Sequence, residues 1–231
     1  MKINANFDER VVVHPDRLNW IASPMKGVER KPLERVGGEV ARATSIVRYA
    51  ARSNFSQHVH TGGEEFIVLD GVFQDEHGDF PAGSYIRNPP QSSHTPRSDE
   101  GCVIFVKLWQ FDPMDRTHVR KQVDHLETTR LVEGVSKIAL YKDDCEEVFV
   151  VECAPHAKLE LEALGGAEMI VLEGQLNETR DRLVKHSWAR WPVDSAIDAT
   201  AGPDGAKVWI KAGHLAYAEA QVERLYTHTH D

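Results

Sequence analysis

Apolar and polar residues alternate in short runs along this chain, and Gly, Pro, Asn and Asp cut the runs apart. The segments "SIVRYAARSNFSQHV", "CVIFVKLWQF", "EEVFVVECAPHAKLEL" and "AKVWIKAGHL" are of this kind. Short runs divided by turn formers predict β-strands packed as a sandwich or barrel. No apolar run approaches the roughly 18 residues that a membrane-spanning helix needs.

The pattern also repeats. "GGEEFIVLDG" (62–71) and "GGAEMIVLEG" (165–174) agree at seven of ten positions, at an offset of 103 residues. Such a period is too long for a solenoid, so one β domain is read as duplicated. The repeat divides the chain into an N-terminal arm (1–35), a first β domain (36–111), a polar linker with room for a short helix (112–130), a second β domain (131–217) and a tail (218–231).

Composition narrows the class. With 231 residues, 41% hydrophobic and 27% charged, the chain has the make-up of a soluble globular protein. A formal charge of −9 speaks against a nucleic-acid surface, which is normally basic. The first twenty residues place acidic groups where a signal peptide would be basic and then apolar. Cys102, Cys145 and Cys153 have no CxxC spacing, and three is an odd number for a disulfide framework. Together these point to a cytoplasmic location without nucleic-acid or membrane partners.

Candidate chemistry concentrates in "FSQHVHTGGEEFIVLDG" (55–71). In a strand, His58 and His60 share a face. Read as a hairpin with "TGG" as its three-residue loop, the segment pairs His60 with Glu64, which puts Glu64 on the histidine face. Glu65 then points the other way. The repeat agrees, because Glu65 recurs as Glu168 whereas His58, His60 and Glu64 become Leu161, Ala163 and Ala167. His94, in "RNPPQSSHTP", is the candidate third nitrogen ligand. Three imidazoles and one carboxylate suit Zn, Fe, Mn, Ni or Cu and are too nitrogen-rich for Mg or Ca.

The spacing His58-x-His60-x3-Glu64-x6-Gly71 resembles the first cupin motif, and "PAGSYIRNPPQSSH" (81–94) the second, with Pro81, Gly83 and His94. Residues 36–111 are similar to the cupin domain of the ChrR-type anti-sigma factors, through "GGEVARATSIVRYA", "GEEFIVLDGVFQDEHGDFPAGSYIRNPPQSSH" and "GCVIFVKL". The resemblance implies an all-β chain of two tandem cupin (double-stranded β-helix, jelly-roll) barrels. It also implies one divalent transition metal per chain, zinc first and iron, manganese or nickel as alternatives, held by His58, His60, Glu64 and His94. The second barrel has lost all four ligands, with Ala196 near the His94 equivalent. Packing or homodimer formation is its expected role.

Arg48, Tyr85 and Lys107 are candidate pocket residues above the metal, with Tyr49 and Arg87 as further border positions. Trp188 and Trp191 read as core. The terminal His228-x-His230 has no phased carboxylate and reads as a tail that scavenges metal. The ChrR-type proteins bind a sigma factor through a helical zinc domain that has no counterpart in 1–35, so a sigma factor is not the expected partner. The expected partner is a small molecule or an oxidant. A bicupin that acts on or senses it and a metal-dependent dioxygenase both remain open. Fold does not choose between them.

Overall fold

The computed structural model describes residues 1–228, with side chains through Thr227. The His228-x-His230 pair therefore lies outside the described side chains. The described residues form antiparallel strands and one α-helix, Ala218–His228, and the chain divides into two compact units. Neither unit is a continuous stretch. The first comprises residues 1–5, 19–124 and those from 219 on, and the second comprises 6–18 and 125–218.

The main sheet of the first unit runs Lys2–Ile3, Val28–Gly37, Ala41–Tyr49, Cys102–Leu108, Glu64–Asp75, Ser84–Asn88 and Val119–Gln122. A separate two-stranded sheet pairs His58–His60 with Ser92–His94. Alternation along the strands sorts their side chains onto two faces. Val28, Val47, Phe66, Val68, Ile86, Ile104 and Val106 form the core on the inner face. The outer face carries buried polar groups, and the C-terminal helix packs there through Gln221, which bonds Arg42 and the Gln110 carbonyl.

Three expectations are corrected. The 1–35 segment is not a separate arm, because Val28–Gly37 is a main-sheet strand and Val11–Val13 pairs with Trp188–Trp191 in the second unit. The 112–130 segment does hold a short helix, Val123–His125, but it also contributes strands, since Val119–Gln122 pairs with Ser84–Asn88, and Thr128–Val132 pairs with Val135–Lys142. Nor do residues 55–71 form a hairpin. Gly63 takes φ +80° and donates its N–H to the His60 carbonyl, a turn that sends Glu64–Asp75 into the main sheet. His58–His60 is left to pair with the strand that carries His94.

The second unit repeats these pairings. Leu161 faces Ile197 across a ladder as His58 faces His94, so Ile197, and not Ala196, occupies the His94 position. Leu161, Ala163, Ala167 and Ile197 all join or pack against one apolar core there. Methyl groups fill the place where the first unit gathers its histidines. Trp188 and Trp191 are buried, as expected of core residues.

Candidate metal centre

The two-stranded sheet sets His94 directly opposite His58, with His60 two residues along on the same face. Consequently the three imidazole centroids lie 4.6 to 5.0 Å apart. Glu64, first residue of its main-sheet strand, reaches the same point from the other side of the turn. Its Oε2 is 3.5 Å from His60 Nε2 and 3.6 Å from His94 Nε2. Those separations are the size expected between neighbouring ligand atoms around one ion with bonds of about 2.0–2.2 Å.

His60 Nε2 is buried and has no hydrogen-bond partner among the described residues. A buried ring nitrogen without a partner is costly unless something else satisfies it. Burial holds the His60 pKa below its ordinary value, and His94 and His58 add to this against the pull of Glu64. A neutral imidazole is what a metal ligand must be. The donor set, the spacing and the unpartnered nitrogen all fit a divalent transition metal.

The other ring nitrogens of His58 and His94 hold the rings in place. His58 Nδ1 lies 3.3 Å from the Ser56 carbonyl, and His94 Nδ1 lies 3.3 Å from Asp75 Oδ2. Burial lowers the His94 pKa, but the Asp75 bond and the charges of Glu64, Asp75 and Glu76 outweigh it, and the net direction is upward. Burial alone would raise Asp75, but His94 and the His77 N–H bind the carboxylate and hold it below its usual range. Asn88 donates to Glu64 Oε2 at 3.4 Å. Asp75 and Asn88 are not legible in the sequence: Asn88 comes from a strand that only the sheet order sets opposite Glu64, and Asp75 lies at the far end of the long strand that Glu64 begins.

His58, His60 and Glu64 open onto a cavity of about 340 Å³. Its walls include Val47, Tyr49, Phe55, Ile104, Val106, Leu108 and Trp109, with Arg30, Arg35 and Glu39 among them. Burial and the nearby Glu64 carboxylate push the Tyr49 phenol pKa well upward.

The structure places Arg48, Tyr85 and Lys107 elsewhere, and strand alternation explains all three. Arg48 stands between Val47 and Tyr49, which line the cavity, so it turns outward, pairs with Glu29 and lies over Trp20. Lys107 stands between Val106 and Leu108 and bonds Thr44 on the outer face. Tyr85 precedes the core residue Ile86 and donates to Glu65, also outside. Arg87 likewise pairs outside, with Asp115. The second unit keeps this outer arrangement in altered form, as Trp188 and His214 reach Glu168, and Lys211 pairs with Glu146 at 2.8 Å.

This architecture is an all-β cupin-type fold. More particularly, residues 8–112 match the ChrR cupin-like domain. Among curated proteins, none matches the chain in sequence. Similar solved structures include a candidate dioxygenase from Nostoc punctiforme, with TM-score 0.71, 15% identity and coverage of 90% of this chain and 84% of that one. YlbA from Escherichia coli has TM-score 0.68, 16% identity and coverage of 90% and 92%. The bacterial pirin YhhW from Escherichia coli, solved with nickel(II), has TM-score 0.65, 10% identity and coverage of 89% and 99%. At these identities the likeness shows the fold.

Proposed function

We propose that the chain binds one divalent transition metal through His58, His60, Glu64 and His94 and acts with it on a small organic molecule in the adjoining cavity. The observation that carries this reading is that the cluster opens onto a cavity of about 340 Å³ and is not sealed in apolar core. A metal site with room beside it suits catalysis, whereas a closed one suits a structural role. Zinc, iron, manganese and nickel all accept this donor set. When bound, the ion would supply Lewis acidity and, where it is redox-active, electron-transfer chemistry.

The chain's own residues do the rest. Asp75 and the Ser56 carbonyl fix the His94 and His58 rings, so that their Nε2 atoms are presented to the site. Asn88 restrains the Glu64 carboxylate. Val47, Phe55, Ile104, Val106 and Leu108 give the space next to it an apolar wall. Tyr49 keeps its proton on the phenol oxygen and is placed to donate it in a hydrogen bond to a ligand.

Metal analysis of protein purified without a His tag tests the reading. About one iron, manganese or nickel per chain, with dioxygen uptake or product formation from a small organic substrate that fails in His58→Ala, would support it. One tightly held zinc with no turnover across a broad substrate panel would favour a sensory or stapling role instead.

A further inference from the structure

The strand Val28–Gly37 carries two arginines on its inner face, although their spacing forbids it in a regular strand. Residues five apart point to opposite sides of a pleated strand. Here the pairing with Ala41–Tyr49 slips between Pro32 and Glu34. That irregularity restores the phase: Arg30 faces Val47 and Arg35 faces Ala43, and both of those partners line the cavity. Bulges of this kind re-aim side chains beside functional sites.

The strand's carboxylates are committed elsewhere. Glu29 pairs with Arg48, and Glu34 pairs with the buried Arg42. Arg30 donates to Ser23 Oγ at 2.6 Å, and Arg35 donates to the Gly38 and Glu39 carbonyls. Neither guanidinium has a carboxylate within ion-pair distance among the described residues, and Arg30 Nε is buried with no hydrogen-bond partner. Both side chains are half-buried, and they are close enough that burial and the Arg30 charge together lower the Arg35 pKa. Two like charges facing one partly desolvated space are costly until an anion joins them. Planar guanidiniums present paired donors that match a carboxylate.

The remaining wall decides between an inorganic and an organic anion. Apart from Arg30, Arg35, Glu39, Ser23, Ser45 and the Tyr49 hydroxyl, the wall away from the histidines is apolar, with Val47, Phe55, Ile104, Val106 and Leu108. An inorganic anion would leave that surface bare, whereas an organic acid would cover it. We infer that the cavity takes a small organic carboxylate, whose carboxylate group lies against Arg30 and Arg35 and whose apolar body lies along the wall toward the histidine cluster. The inference rests on the proposed function, since it names the substrate class of the same site.

The test is calorimetric titration of the metal-loaded protein with acetate, succinate, benzoate and phenylacetate, against benzamide and inorganic sulfate as controls. At least one carboxylate is expected to bind, and benzamide to bind about tenfold more weakly or less. Arg30→Gln and Arg35→Gln should each weaken binding by about tenfold to a hundredfold at unchanged metal content, as expected for loss of a charge-assisted bond. Arg30→Lys and Arg35→Lys serve if the Gln variants do not fold, and they should retain part of the affinity. Equal binding of benzamide and benzoate, tighter binding of sulfate than of every carboxylate, no binding by any of the four acids, or indifference to all four variants would each overturn the inference. A chain that proves to hold no metal yet still binds benzoate through Arg30 and Arg35 would sink the proposed function and leave the anion site standing.

Discussion

Asp75 Oδ2 sits 3.3 Å from Nδ1 of His94, and the same ring turns its Nε2 toward Glu64 at 3.6 Å. A carboxylate behind a ligating histidine fixes the ring's tautomer and orientation. Asp75→Asn should therefore weaken metal binding by about 10- to 100-fold while the four ligands stay in place. His94→Ala should weaken it further. Competition with a chromogenic chelator measures both, and equal affinity in wild type and Asp75→Asn would remove Asp75 from the site.

Glu64 and Glu65 are adjacent in sequence and point to opposite faces, Glu64 toward His60 and His94 and Glu65 toward Tyr85. Glu64→Gln should lose most of the bound metal. Glu65→Gln should keep it and instead cost about 1–3 kcal/mol of stability, because the Tyr85 hydroxyl and its neighbours lose a buried acceptor. Metal content and denaturant unfolding separate the two effects. Parallel loss of metal from both variants would contradict the face assignment.

Gly62 lies under the indole of Trp109, and a Cβ there would fall 2.2 Å from Cδ2 of the ring. Gly63 is held at φ +80°, with Phe111 ring carbon 2.4 Å from where its Cβ would lie. Either Gly→Ala change should destabilise the protein by about 1–3 kcal/mol. Since the loop joins His60 to Glu64, metal affinity should fall with it. Thermal melts with and without added metal give the comparison.

Burial pushes the Cys102 and Cys153 thiols up to about 11 from an ordinary 9.0. A raised pKa means that the folded state holds its proton more tightly than the unfolded chain. The resulting stability is complete below pH 9 and is lost as pH climbs through about 11. Each thiol accounts for on the order of 2 kcal/mol of this loss. The double variant Cys102→Ala, Cys153→Ala should be less stable at pH 7 yet show a flatter decline in Tm from pH 9 to 11. A decline as steep as that of wild type would assign alkaline unfolding to other groups.

The residues of the candidate centre were legible in the sequence because a two-residue period and an internal repeat both bear on them. His58 and His60 share a face by strand geometry alone, and Glu65 was set aside because its repeat partner Glu168 persists where the histidines do not. The means by which Glu64 joins them was not legible: a turn at Gly63 switches the chain between sheets, and spacing alone resembles a hairpin. The same period would have excluded Arg48, Tyr85 and Lys107, each one residue away from an inward-facing neighbour. Arg35 lies beyond that rule, since its direction depends on a slip near Pro32 that leaves no alternation to count. Asn88 depends on sheet order, which local pattern does not encode.

Residues 6–18 belong to the second unit, and residues from 219 on belong to the first. On the ribosome, the metal-site unit would therefore wait until the helix Ala218–His228 has been made. Its strands and all four candidate ligands would be out by about residue 124, but the helix that bonds Arg42 and the Gln110 carbonyl follows only at Ala218–His228. Meanwhile an early strand, Val11–Val13, must remain available until Trp188–Trp191 emerges to pair with it. A gene cut at the seam near residue 124 would thus yield two incomplete products, one without its closing helix and the other without an edge strand. Expression of either half alone is a poor route to the isolated metal site.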